Sequence, residues 1–361
     1  MKKHYDLPLI IVTAILVLIG LVMVSSSSVV LATQQFGSPY YYFKHQFFIG
    51  FIGGGIFCYI MSKIDYGKLK KFAPVFLFLS FLMLILVFIP GIGMSFGGAQ
   101  RWIKLGLSFQ PSEFVKLGVI IYLAAWLSKD KESVQSFTKS FLPFVAVICA
   151  VSILLLKQPD TGTMGIIAVI AITMFFTAGG RFSHIFIFIT GLAGVLWGLI
   201  KIAPYRMNRF LVFLNPSIDP KGIGYHINQA LIAIGSGGIF GMGFGHSRQK
   251  FNYLPEPIGD SIFAIIAEEL GLIGGAIILV LFGIFAWRGF RIAKHAPDKF
   301  GMLLAVGITS WIIFQAIINI AAITSLMPLT GITLPFISYG SSSLVMSLGG
   351  VGILINISKQ I

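Results

Sequence analysis

Ten apolar runs, most of them near the ~20 residues that a helix needs to cross a bilayer, follow one another along this chain. They cover about 8–31, 46–62, 72–90, 112–128, 140–156, 161–179, 183–200, 270–288, 301–325 and 340–358. Backbone polar groups find no water in hydrocarbon, so each run must satisfy its own as a helix. The chain therefore reads as an all-α integral membrane protein. About ten transmembrane helices are expected, with a large extracytoplasmic loop containing short interfacial or re-entrant helices between spans seven and eight. Residues 1–361 form a single polytopic membrane domain, and 201–259 is the large outer loop within it. Composition agrees, because only 11% of the residues are charged, about half the share in a soluble domain. The stretch 9–24 is long enough for a signal peptide. It continues through Ser25 to Ser28 into Val29, Val30 and Leu31 without a small-x-small cleavage site, so an uncut first span is the better reading.

Orientation follows from Lys and Arg. With the N-terminus inside, the inner segments hold Lys2, Lys3, Lys63, Lys68, Lys70, Lys71, Lys129, Lys131, Lys139 and Arg181. They continue with Arg288, Arg291, Lys294, Lys299 and Lys359. The positive-inside bias then places both termini in the cytoplasm. A net charge of +14 in a soluble chain would point to nucleic acid. Here the charge is spread over short loops, so no nucleic-acid partner is expected; anionic lipid or a diphosphate substrate accounts for the excess. The loop 201–259 carries Lys201, Arg206, Arg209, Lys221, Arg248 and Lys250, a basic load that topology does not explain. Cys58 and Cys149 lie inside apolar runs and read as small hydrophobes, with no disulfide or metal site.

Only 12 residues are acidic, so each can be weighed. Asp6, Asp65, Asp130, Glu132 and Asp298 sit in inner loops near basic neighbours and read as solvated charges. Asp219 falls in Asn215-Pro216-Ser217-Ile218-Asp219-Pro220, where an Asx turn is expected. Glu113, Asp160, Glu256, Asp260, Glu268 and Glu269 fall on the outer half or outer mouth of the spans. An ionisable group there is costly unless it lines a wet cavity or finds a partner.

Asp260 stands out. Pro255, Pro257 and Gly259 keep the preceding chain out of helix, which puts Asp260 where an N-cap would be, ahead of Ser261 to Leu270. Local sequence leaves a capping role and a catalytic role level. Glu268 and Glu269 read as structural anchors of the same helix. In QPSEFVK, Gln110 to Lys116, Pro111 suits a first helical turn. Glu113 and Lys116 are three apart and share a face. A local salt bridge and a charged cavity wall are both open readings. In KQPDTG, Lys157 to Gly162, Asp160 is expected to cap the next helix. In GGAQRWIKLG, Gly97 to Gly106, Arg101 and Lys104 flank Trp102, an interfacial anchor. Leu329 to Ser343, LTGITLPFISYGSSS, reads as broken backbone, tolerated only against protein or a wet cavity.

Six runs, taken together, carry a resemblance: GAQRWI, QPSEFVK, KQPDTGT, RFLVFLNP with DPKGIGYHINQALIAIGSGGIFGMGFG, QKFNYLPEPIGDSIFAIIAEELG, and MPLTGITLPFISYGSSSL. In this order and from end to end, the chain resembles the SEDS family (shape, elongation, division and sporulation). QKFNYLPE and GITLPFISYG lean towards its cell-division branch. The resemblance implies a peptidoglycan glycosyltransferase in a bacterial cytoplasmic membrane. Its substrate is lipid II, the undecaprenyl-diphosphate-linked disaccharide-pentapeptide. The family's essential aspartate falls on Asp260, its cavity-lining pair on Glu113 and Lys116, and its basic pair ahead of the NP motif on Arg206 and Arg209. Two departures stand out. Many relatives carry an Arg-Gln pair where this chain has His45-Gln46 after Lys44, and Gly340 is followed by Ser341 where a second glycine is common.

The expected chemistry is inverting glycosyl transfer with Asp260 as general base. Arg206, Arg209 and Lys116, with Arg101 and Lys44, are the candidates to hold the diphosphate. No cofactor is required by the sequence, although a divalent cation such as magnesium can share that work. The family implies a class B penicillin-binding transpeptidase as partner, with other divisome membrane proteins. Two rival functions use the same features: a flippase for the same precursor, and a non-catalytic scaffold for a cell-wall synthase. Acids gathered at one end favour the enzyme, since a transport path needs charges through both leaflets.

Overall fold

The computed structural model describes residues 5–96, 99–105, 107–129 and 131–361. Lys2, Lys3 and Asp130, with Gly97, Gly98 and Gly106, lie outside the described residues. All ten expected spans are helices. In chain order the main helices are α1 (Leu7–Phe36), α2 (Tyr41–Lys63), α3 (Tyr66–Leu86), α4 (Pro111–Leu127), α5 (Phe137–Lys157) and α6 (Thr161–Thr177). Then come α7 (Phe182–Ile202), α8 (Pro204–Leu214), α9 (Tyr225–Gly237), α10 (Ile262–His295), α11 (Lys299–Ile323) and α12 (Ser341–Ser358). Eight are long and apolar enough to cross a membrane; α4 and α6, at 17 residues each, are the shorter members of the bundle. Helices α8 and α9 fall within the long 201–259 connection.

Carboxylates start several helices. Asp160 accepts a hydrogen bond from the Thr163 backbone N–H at 3.1 Å, the cap expected for α6. Asp6, Asp65 and Asp298, read above as solvated loop charges, do the same for α1, α3 and α11. Each satisfies an N–H that the first helical turn leaves without a partner. Asp6 also takes a bidentate ion pair from Arg288, with contacts of 2.6–3.1 Å, and Asp298 accepts the Tyr66 hydroxyl at 3.0 Å. These bonds tie α1 to α10 and α3 to α11 at the end opposite Asp260. Asp219 makes the expected turn, accepting from the Gly222 N–H at 2.9 Å.

One element was not foreseen. Strands β1 (Gly93–Phe96), β2 (Ala99–Leu105) and β3 (Leu107–Phe109) form a small antiparallel sheet in that order. The strands are too short for a period-2 signal. What fixes them is tertiary: Ile103 is buried while Lys104 faces out.

Helices α11 and α12 occupy the centre of the bundle. Lipid offers no hydrophobic drive between helices, so close packing depends on small side chains. Gly349 and Gly352 of α12 let it lie directly on Phe57 and the Cys58 carbonyl of α2, where a Cβ would collide. At the other extreme, only His184 and Phe188 of α7 are buried.

Helix α10 is really two helices joined at Gly271, whose backbone (φ 67°, ψ −165°) is not helical. The break brings Gly271 against the backbone of Ile239 and Gly241. Just before it, Glu269 is fully enclosed. It accepts Lys250 Nζ at 2.9 Å and Ser26 Oγ of α1 at 3.0 Å. Glu268 accepts the Arg248 N–H at 2.9 Å and the Ser247 hydroxyl. Both acids are the structural anchors expected. Lys250, counted above as part of an unexplained surface charge, is in fact the buried partner of Glu269. Gly271→Ala places a Cβ in a backbone region open essentially to glycine, which costs about 1–3 kcal/mol before any clash. A clear fall in the thermal unfolding midpoint of the detergent-purified variant is the expected result.

Candidate active site

The turn from Pro255 to Ser261 is irregular by composition, with two prolines and a glycine, and holds Glu256 at φ 50°. Its internal bonds run from the Gly259 and Ser261 N–H groups to the Glu256 carbonyl, at 3.0 and 3.3 Å. Ser261, not Asp260, occupies the N-cap position of α10, and it makes no side-chain capping bond. That weakens the reading of Asp260 as a mere cap. The Asp260 side chain instead opens onto a small cleft lined by Asn319, Ala322 and Ile323 of α11 and by Leu329 to Ile332. Gly331 (φ +71°) sits beside it, its missing Cβ 3.9 Å from Asp260 Oδ2. A side chain there would be strained and would crowd the carboxylate.

Two polar residues inside α11 hold the cleft together. Asn319 Nδ2 donates to the Asp260 carbonyl at 2.8 Å and to the Ile332 carbonyl at 2.7 Å. One turn earlier, Gln315 Nε2 donates to the Thr333 carbonyl at 3.0 Å. Gln315 Oε1 accepts both Lys116 Nζ at 2.7 Å and Trp311 Nε1 at 2.8 Å. Lys116 Nζ also pairs with Glu113 at 2.8 Å and lies over the Trp311 ring. Glu113 and Lys116 are therefore an ion pair enclosed in the bundle, Lys116 being 1% exposed, and among the described residues their link towards the cleft runs through Gln315 to Thr333.

The broken segment before α12 closes the other side. Ser338 Oγ donates to the Gly259 carbonyl at 2.7 Å, and the Tyr339 N–H to the Ile258 carbonyl at 2.8 Å. Gln46 accepts the Gly340 N–H at 3.1 Å and donates to the Ser338 carbonyl at 3.3 Å. His45 Nδ1 stands 3.0 Å from Ser341 Oγ and 3.1 Å from the Tyr339 hydroxyl. The two departures noted in the sequence, His45 and Ser341, thus meet each other. Lys44, one residue earlier, is exposed and finds no partner among the described residues.

Acids and guanidiniums meet at the cleft. Burial raises the Asp260 carboxyl to about 6, against the pull of Arg209 and of hydrogen bonds from its own turn. Desolvation and then the Asp260 charge push Glu256 up as well. Arg209 is the cation in electrostatic reach of Asp260, and its Nη1 donates to the Leu329 carbonyl at 3.1 Å. Arg101 lies in the field of Arg209. Arg101 donates to the Gln158 carbonyl at 3.1 Å and to the Pro159 carbonyl, bracing the turn before α6. Arg206 lies against Tyr205 and donates to the Leu199 carbonyl at 3.3 Å, without a contact to Asp260. Of the candidates, then, Asp260 lines the cleft and Arg209 stands at its edge through Leu329, with Arg101 close by. Glu113 and Lys116 stand behind it, and Arg206 and Lys44 stand apart. Sequence reasoning passed over Gln315 and Asn319. The signal was present, since two amides four apart in an apolar span are themselves unusual.

A family model described as cell cycle protein, covering FtsW, RodA and SpoVE, matches residues 6–361. Stage V sporulation protein E of Bacillus subtilis (strain 168) is 46% identical over 99% of this chain and 98% of its own length. The probable peptidoglycan glycosyltransferase FtsW of Geobacter sulfurreducens is 41% identical over 99% and 96%. Among solved structures, a chain from a peptidoglycan synthase complex that coordinates polymerization and crosslinking superposes with a TM-score of 0.81 at 26% identity, covering 99% and 98% of the two chains. The rod shape determining protein RodA of Thermus thermophilus gives 0.71 at 25% identity, covering 99% and 97%.

Proposed function

The chain belongs to the SEDS family of FtsW, RodA and SpoVE, and from that premise we propose that it polymerises lipid II into glycan strands in cell division, at the outer face of a bacterial cytoplasmic membrane. It is a peptidoglycan glycosyltransferase. The observation that carries the mechanism is the placement of Asp260 on a cleft whose Leu329 carbonyl accepts an N–H from the Arg209 guanidinium; burial pushes the carboxyl up to about 6.

The acceptor is a sugar hydroxyl, a poor nucleophile at neutral pH. Asp260 takes its proton as the new C1–O bond forms on one face of the donor sugar. The bond from C1 to the diphosphate oxygen breaks on the opposite face, which inverts the anomeric carbon. The electron pair leaves with the lipid diphosphate, stable as an anion, so one carboxylate suffices where glycosidases use two. Positive charge must meet that anion in a dry setting. Arg209 stands nearest, while Arg101, Arg206 and Lys44 offer charge further along the same end of the molecule. Lys116 acts from behind, by fixing Gln315. Among the described residues no group of three or more His, Cys, Asp or Glu side chains is placed to hold a metal; a divalent cation shared with the diphosphate would need fewer protein ligands.

The Asp260 end faces outward and both termini lie in the cytoplasm, in keeping with the Lys and Arg distribution. Crosslinking of the strands needs a second active site, which a class B penicillin-binding transpeptidase supplies alongside other divisome membrane proteins.

The test is polymerisation of lipid II by the detergent-purified protein, followed across pH. A base must be deprotonated, so the rate should fall as pH drops below about 6. An ordinary aspartate would hold the limb near pH 4. A rate flat from pH 7 to pH 5 sinks Asp260 as base. A flippase or a scaffold would yield no glycan polymer in detergent at any pH.

A further inference from the structure

Beside Asp260 is a hydrogen-bond arrangement that the mechanism above leaves unused. Ser261 Oγ has three polar neighbours: the Pro255 carbonyl at 2.8 Å, His226 Nε2 at 2.7 Å, and Asp260 Oδ1 at 3.5 Å. A hydroxyl has one proton and two lone pairs. The Pro255 carbonyl can only accept, and at 2.8 Å it takes the Ser261 proton. His226 Nε2 is then the donor at that short contact. The imidazole is fixed as the Nε2–H tautomer, with its Nδ1 lone pair free to accept.

Burial, with Arg209 nearby, holds His226 well down, at about 4, against the opposing pull of Glu256. The ring is therefore neutral at working pH, and its single proton is the one given to Ser261. The charged groups in its field are Glu256, on the turn that carries Asp260, and Arg209, on α8. His226 itself belongs to α9, which packs against α10, its Gly237 lying against Ala267.

We propose that His226 is a positioning residue for the glycosyl transfer: acting through Ser261, it fixes the turn that carries Asp260 and sets how readily that carboxyl takes a proton. This rests on the reading of Asp260 as the base. A donor to Ser261 Oγ strengthens the bond that Ser261 makes with its own proton, because chained hydrogen bonds polarise one another. That proton goes to the Pro255 carbonyl at 2.8 Å, and Asp260 Oδ1, 0.7 Å farther away, is its alternative acceptor. When Asp260 is an anion the hydroxyl can lean towards it. When Asp260 has taken the acceptor's proton, the hydroxyl returns to Pro255. Without the imidazole, both settings weaken, and the carboxylate loses stabilisation.

The test uses full-length protein in detergent with lipid II, comparing wild type, His226→Leu, His226→Gln and Asp260→Asn. A glutamine amide can reach the place of Nε2 and donate; leucine fills the volume and cannot. His226→Leu should lose about tenfold in kcat, the size of one lost hydrogen bond, with KM nearly unchanged. Its acid limb should move to higher pH. His226→Gln should restore both rate and limb to near wild type. All variants are first compared for monodispersity and unfolding midpoint. A folded His226→Leu with wild-type kcat and an unmoved limb overturns the inference. So does a folded His226→Gln that is as slow as His226→Leu. If Asp260→Asn polymerises normally, the base reading fails; if Asp260→Asn is inactive and His226→Leu is normal, only the role of His226 fails.

Discussion

Asparagine at position 260 is expected to slow lipid II polymerisation by about 10²–10⁴-fold, the usual contribution of a positioned general base. The substitution keeps the size and shape of the side chain, and the Asn319 bond to the residue 260 carbonyl is unaffected because it is made to backbone. The stability effect should run the other way. A carboxyl whose folded pKa of about 6 lies above its ordinary 3.8 favours the protonated form in the fold. The anion therefore costs stability above that range, and the penalty fades as pH falls towards 4. Asp260→Asn removes the penalty, so at pH 7.5 its unfolding midpoint should equal or exceed that of wild type. A polymerisation assay on glycan gels, paired with a thermal unfolding scan, reads both effects. A variant that loses activity together with stability would mark the residue as structural.

Much of this was legible beforehand, for a physical reason. Bilayer thickness imposes length, so all ten spans could be located, although the eighth, read as 270–288, belongs to a helix that runs from Ile262 to His295. Acids at the mouth of a span are costly, so Asp260 and the Glu113–Lys116 pair drew attention, although the pair, expected to line the cavity, is enclosed in the bundle. The misses came where the deciding partner is far away in sequence. Lys250 looks like one more loop charge until Glu269, 19 residues on, encloses it. Asp6 looks solvated until Arg288 arrives from the other end of the chain. The β1–β3 sheet depends on burial of Ile103, which no local pattern announces. Gln315 and Asn319 escaped because attention went to formal charge, while in an apolar span an amide is also a strong polar signal.

Lys116→Met should be among the most destabilising single changes in the molecule. Nζ is enclosed by Glu113, Gln315 and the Trp311 ring, and Glu113 Oε2 already lacks a partner among the described residues. Removing the ammonium leaves a buried carboxylate uncompensated, at a cost of about 3–5 kcal/mol. Loss of monodisperse protein, or a large drop in unfolding midpoint, is the expected result. Adding Glu113→Gln removes the stranded charge, and the double variant should regain most of that stability. Activity of the double variant then decides between the two roles. Because Lys116 is shut away from the cleft, the folded double variant should polymerise at a rate within about tenfold of wild type, the allowance for one weakened hydrogen bond to Gln315. A folded but inert double variant would mean that the charge itself acts on the substrate.

The short first part of α10, residues 262–270, is pinned at both ends. Asn319 fastens the backbone at Asp260, and Lys250 with Ser26 fastens Glu269. Nine residues of helix put those pins about 13 Å apart. Glu268, bonded to Arg248 and Ser247, and the Gly271 break, pressed against Ile239 and Gly241, hold the segment between those pins as well, so it sits as a fixed strut. The carboxylate is aimed from a strut anchored along its length, and loosening the far pin should blur the aim of a group that it never touches.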